Sequence, residues 1–110
     1  MTDGNASQFV IYQSDDGKIK LDVRFVDETV WLTQQQLAEL FQTSRTNVVE
    51  HIQHIYEEGE LDAAATCREF RQVRKEGARE VTRNMAFYNL DMTLSVGYRV
   101  GVGRLGLSSF

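Results

Sequence analysis

The chain has 110 residues, 12 Lys and Arg against 16 Asp and Glu, and a formal net charge of −4. That length makes one domain with a modest core, and the acidic balance argues against indiscriminate binding to nucleic acid. A single cysteine, Cys67, excludes an internal disulfide and a cysteine-rich zinc site. No apolar run approaches membrane-spanning length, and the polar start lacks a signal-peptide core, so a soluble cytoplasmic protein is expected.

Residues 1–8 carry no pattern and are expected to form a flexible arm. Phe9 to Tyr12 is a short β-prone run, and Ile19, Leu21, Val23 and Phe25 alternate with polar residues. Ser14-Asp15-Asp16-Gly17 between them supplies a turn signal, which predicts a β-hairpin. Asp27-Glu28 makes a further turn, and residues 30–32 read as a third short strand. Trp31 sits directly before the next helix as a core residue that can also staple its start.

Two short helices follow. Thr33 caps the first, with Gln36 three residues on completing a capping box, and Leu37, Leu40 and Phe41 form one apolar face. Gln42 and Thr43 break the period and Ser44 caps the second helix, whose stripe is Val48, Val49, Ile52 and Ile55. Ala38 is small where the two should cross, and Gln42 stands where glycine commonly permits the turn. Two capped amphipathic helices with so short a connection form a helix-turn-helix unit. With the second helix in a DNA major groove, Arg45, Thr46, Asn47 and Glu50 would face bases. Arg donates twice to guanine, Asn pairs bidentately with adenine, and a carboxylate accepts from cytosine N4. The alternative is a helical hairpin presenting a protein-docking face, which Glu50 and the acidic run Glu57, Glu58, Glu60 and Asp62 favour.

Tyr56 to Gly59 reads as a helix end, and residues 62–66 as a helical turn or loop. Residues 67–86 alternate on both sides of Gly77 and predict a second hairpin. Six of the chain's 12 basic residues (Arg68, Arg71, Arg74, Lys75, Arg79 and Arg83) lie there against Glu69, Glu76 and Glu80. Such a hairpin can serve as a wing, with Ser44, Arg71, Arg74, Lys75 and Arg79 contacting phosphate. The competing reading is a solvated hairpin whose charges pair across strands. Asn89 caps a last helix with Leu90, Leu94 and Tyr98 on its buried side.

His51 and His54 lack partners for a metal set, Asp15-Asp16-Gly17 is explained by turn chemistry, and no phosphate loop or nucleophile motif occurs. No enzyme activity, metal, cofactor or small-molecule substrate is expected. The fold class is α+β: N-terminal β-hairpin, helix-turn-helix, basic wing-like β-hairpin and C-terminal helix, a winged-helix-like domain over residues 9–100. The expected partner is double-stranded DNA, with a protein partner or a homodimer as further possibilities.

The strings WLTQQQLAELFQTSRTNVVEHIQHIYEEGEL (residues 31–61), REFRQVRKEGAREVTRNMAFYNLDMTLSVGYRV (68–100) and DGKIKLDVRF (16–25) together resemble the RhuM-type virulence-associated proteins. The block YNLDMTLSVGYRV (88–100) is the most specific part. The resemblance implies a bacterial cytoplasmic protein, often carried on mobile or pathogenicity-island DNA, with a DNA-binding N-terminal region and a regulatory role in transcription. Similar regions stand beside antirepressor-like and Fic-type modules, which implies a regulatory or adaptor role. It supplies no catalytic residue. Residues 101–110, GVGRLGLSSF, depart from the family pattern and read as a truncated or divergent tail.

Overall fold

Alternating apolar residues and a turn rich in Asp and Gly build the first sheet. In the computed structural model, which describes residues 8–104 without the side chains of Arg74 and of residues 102–104, β1 (Gln8–Gln13), β2 (Lys20–Val26) and β3 (Thr29–Trp31) run antiparallel in that order. Residues 1–7 of the expected arm and 105–110 of the expected tail lie outside the described residues; Gln8 is already in β1. The β1–β2 turn is held by Asp16, which accepts from the Ser14 hydroxyl at 2.6 Å and from the Lys18 amide at 3.0 Å. Gly17 supplies the left-handed backbone there, at φ 75°. The β2–β3 turn is tighter: Val26 pairs with Thr29, and both Asp27 and Glu28 are left-handed, at φ 54° and 64°. That is the backbone of a type I′ turn, which usually takes Asn-Gly or Asp-Gly. Because side chains alternate across a strand, Leu21 and Val23 enter the core while Asp22 stays exposed.

The predicted helix pair is present. α1 (Gln34–Leu40) starts with a complete capping box, Thr33 Oγ1 accepting from the Gln36 amide at 3.1 Å and Gln36 Oε1 from the Thr33 amide at 3.0 Å. Gln36 also donates to the Asp22 carbonyl at 2.7 Å, which ties the helix start to β2. α1 ends in a Schellman motif, the Thr43 amide bonding the Ala38 carbonyl at 2.9 Å and the Gln42 amide the Glu39 carbonyl at 3.3 Å. Gln42 occupies the left-handed position at φ 54°. α2 (Arg45–Glu57) is capped by Ser44 and closes with the same motif at Gly59.

α3 (Ala63–Thr66) is a single turn, and β4 (Cys67–Glu76) and β5 (Arg79–Tyr88) form the long second hairpin around Gly77-Ala78. Leu32 and Tyr88 bridge the two sheets through backbone bonds of 2.9 and 2.8 Å. α4 (Leu90–Arg104) begins at Asn89, whose side chain accepts from the Met92 amide at 3.2 Å. Residues 101–104 continue this helix rather than joining a separate tail.

The core gathers Leu37 and Ala38 from α1, Val48, Ile52 and Ile55 from α2, Met92, Val96 and Val100 from α4, and Leu21 and Val23 beneath them. Two sequence expectations are corrected here. Leu90, Leu94 and Tyr98 are 44%, 62% and 65% exposed, and the buried side of α4 is Met92, Thr93, Val96 and Val100. Both sets recur every four residues, so period alone does not choose between them; the fit of the second set against α1 and α2 does. Gly97 belongs to that inner side, so close to the Phe41 ring that a Cβ there would stand 2.7 Å from Cζ. Trp31 is buried but does not staple α1. Its ring meets Phe70 edge-on at 5.9 Å and lies beneath the Arg68 guanidinium, and its indole donates to the Val26 carbonyl at 3.1 Å.

Candidate nucleic-acid interface

The first turn of α2 is built by short-range chemistry. Ser44 Oγ accepts from the Asn47 amide at 3.0 Å, and the Asn47 side chain donates to Thr43 Oγ1 at 2.8 Å. Asn47 is therefore half-buried and engaged with the turn before the helix, whereas Ser44, Arg45, Thr46 and Glu50 are exposed. Thr46 and Glu50, one turn apart, share a side of the helix.

Arg45 is positioned from outside its own helix. Its Nε donates to Gln34 Oε1 at 3.2 Å, and Gln34 Nε2 donates to the Tyr88 hydroxyl at 3.1 Å. Burial pushes the Tyr88 phenol above its ordinary range, so the hydroxyl stays protonated throughout the neutral region. This run spans the starts of α1 and α2 and the end of β5. Beside it lies an open cleft of ≈ 280 Å³, lined by Thr33, Gln34, Gln35, Arg45, Asn84, Met85 and Ala86. That is slightly below the volume of about 300–1,000 Å³ usual for small-molecule pockets. Polar and apolar surface line it about equally.

The register of the hairpin decides where its charges go, because directly opposed residues of an antiparallel pair share a face. Cys67–Tyr88, Glu69–Ala86, Arg71–Asn84, Val73–Thr82 and Lys75–Glu80 make one face, which through Ala86 and Tyr88 turns towards the cleft and α1. Arg68–Phe87, Phe70–Met85, Gln72–Arg83 and Glu76–Arg79 make the other. Arg71 and Lys75 thus lie on the cleft face and Arg79 on the opposite one. The Arg74 side chain lies outside the described residues.

Several of these charges have partners. Arg83 pairs with Glu76 at 3.3 Å, and Lys75 stands across from Glu80. Arg68 bonds Asp27 at 2.9 Å. At the base of the second face, Arg24 lies over Phe9, Phe70 and Phe87 at 5.3, 4.5 and 5.0 Å. Cation–π contact of this kind favours a charge that is partly removed from water, and burial lowers the Arg24 pKa. Arg71 faces Asn84 rather than an acidic residue, whereas Lys75 faces Glu80.

At the far end of α2, Arg99 bonds Glu58 at 2.7 Å and Glu60 at 2.8 Å. Burial, with Arg99 nearby, holds His51 below the usual histidine range. Among the described residues no group of His, Cys, Asp or Glu is arranged to hold a metal ion, and no helix is long and apolar enough to cross a membrane.

Sequence reasoning named Ser44, Arg45, Thr46, Asn47 and Glu50, and the structure brings them together on one helix start. It did not find Gln34, Asn84 or Tyr88. Their roles come from contacts between residues far apart in the chain, and no local period marks them.

The described residues define an α+β domain: two antiparallel sheets and four helices, with a capped helix pair standing beside a long hairpin. Residues 65–105 match the Virulence protein RhuM family, in agreement with the resemblance read from the sequence. The matched stretch takes in the hairpin and α4 and stops short of α1 and α2. No curated protein and no solved structure matches the chain.

Proposed function

We propose that this domain is a non-enzymatic, sequence-specific DNA-binding module with a regulatory role, acting in the bacterial cytoplasm on double-stranded DNA. The observation that carries the reading is the junction of α2 and the hairpin. The exposed start of α2, with Arg45 held by Gln34, opens onto the cleft whose other wall is the hairpin face bearing Arg71 and Lys75. In this winged helix-turn-helix, Arg45, Thr46 and Glu50 read base edges, and Asn47 joins them after releasing Thr43. Ser44, Arg71 and Lys75 contact phosphate from the cleft side, a contact in which Arg79, on the opposite face of the hairpin, takes no part.

The test is a titration of the purified chain against random-sequence duplex DNA over a salt series. A log–log slope of about −2 to −5 means that several phosphates are neutralised. With a site selected from a random pool, Arg45→Ala weakens specific binding by about 1–3 kcal/mol, whereas Lys75→Ala lowers affinity alike on all sequences. Equal behaviour of the two variants refutes the division of roles.

A second reading is a protein-docking module of the antirepressor kind. The exposed Glu50 and Glu57 on α2 and the net charge of −4 favour it. A folded sample that binds no DNA even at low salt, yet binds a protein tightly, selects this reading.

A further inference from the structure

We propose that β1 is a self-association edge, through which two copies of this chain join their three-stranded sheets into one continuous antiparallel sheet. β1 is the outer strand of its sheet, and all six of its residues are exposed. Four consecutive apolar residues lie on it: Phe9 at 59%, Val10 at 48%, Ile11 at 60% and Tyr12 at 42% exposure. Edges of this kind are normally blunted by charge, proline or a bulge. QFVIYQ has no charged residue and no proline, and its pairing with β2 is regular over all six positions.

The register shows why both faces are left bare. Val10 and Tyr12 oppose Val23 and Leu21, so they continue the core layer beyond the reach of α1, α2 and α4. Phe9 and Ile11 oppose Arg24 and Asp22 on the other face. A second sheet added edge-on extends both layers at once, which a helix packed on one face cannot do.

The occupant is a second copy because the strand complements itself. A two-fold axis perpendicular to a sheet keeps each side chain on its own face, so the residue on the axis must pair with its own counterpart. With Val10 on the axis, Phe9 of each copy faces Ile11 of the other, and Tyr12 faces Gln8. With Ile11 on the axis, Val10 faces Tyr12 and Phe9 faces Gln13. Either register gives three of the four apolar residues an apolar partner and opposes no charges. The exposed stripe Leu90, Leu94 and Tyr98 on α4 is the rival surface. A six-residue edge buries less than the about 800 Å² per partner of a standard interface, so the dimer dissociates on dilution.

The experiment is light scattering with size-exclusion chromatography on the full chain over a concentration series, repeated for Ile11→Lys and Leu94→Lys. The expected result is a reversible dimer, weakened at least about tenfold by Ile11→Lys and unchanged by Leu94→Lys. A monomer up to about 1 mM, or a dimer that survives Ile11→Lys but not Leu94→Lys, overturns the proposal. So does deletion of residues 1–7 turning a monomer into a dimer, since those residues would then cover the edge. Should Ile11→Lys fail to fold, hydrogen exchange of the parent chain decides. Alternate β1 amides gain protection as concentration rises, and their failure to do so is equally fatal.

Discussion

The two Schellman motifs offer a matched pair of substitutions at equivalent positions. Gly59 follows α2 at φ 74° and a Cβ built there meets nothing within 4 Å, so Gly59→Ala tests backbone conformation alone. A left-handed backbone costs an L-residue about 1–2 kcal/mol. Alanine recovers about 0.4–1 kcal/mol through the lower entropy of the unfolded chain. The net expectation is destabilisation by about 1 kcal/mol, or a fall in Tm of about 4–8 °C for a domain of this size. Gln42 after α1 occupies the same position at φ 54°, so Gln42→Gly runs the argument backwards. It gains at most about 1 kcal/mol, reduced by the contact Gln42 itself gives up. Urea denaturation followed by circular dichroism at helical wavelengths measures both. Gly59→Ala equal to or more stable than the parent, or Gln42→Gly clearly less stable, would refute the reasoning.

Three further outcomes are expected. Asn89 caps α4 with its oxygen and donates to the Ala65 carbonyl at 3.2 Å. Asn89→Ala therefore lowers unfolding stability by about 1–3 kcal/mol, and Asn89→Asp, which keeps the cap, by less. Gly97→Ala gains about 1 kcal/mol of helix propensity but drives a methyl into the Phe41 ring, an overpacking that costs about 1–3 kcal/mol. Net destabilisation is expected, and combining it with Phe41→Leu should cost less than the two singles added, read from a double-mutant cycle. Hydrogen bonds from Arg99 and Ser95 hold the Glu60 carboxyl below its ordinary value. A depressed carboxylate stabilises the fold above its unfolded pKa and loses that contribution as pH falls through the folded one. Glu60→Gln should thus flatten the acid limb of a Tm-against-pH curve, and an unchanged limb would show that the ion pair does not act in solution.

What could be read in the sequence was local chemistry. The Asp-Gly turn, the Thr33–Gln36 box, the Ser44 and Asn89 caps and the Gly59 helix end each involve residues a few positions apart, and each formed as expected. What could not be read depends on pairing at a distance. α4 carries two apolar stripes, and only docking selects Met92, Val96 and Val100 over Leu90, Leu94 and Tyr98. The basic residues of the hairpin looked like one cluster, but the register sends Arg71 and Lys75 to the cleft side and Arg79 and Arg83 to the other. The tie from Arg45 through Gln34 to Tyr88 links residues 54 positions apart in its second step. No pattern in the vicinity of Arg45 announces it.

The bridge between Leu32 and Tyr88 also bears on how the chain folds. Each bridged residue directly precedes the cap residue of a helix, Thr33 of α1 and Asn89 of α4. Closing the loop between residues 32 and 88 costs about 3–4 kcal/mol of chain entropy before any contact rewards it. The two hairpins and the α1–α2 pair can form from neighbouring residues; this junction cannot. Joining the two sheets is therefore expected to be a late, rate-limiting event, with mutations at Leu32 slowing folding more than mutations in either hairpin turn.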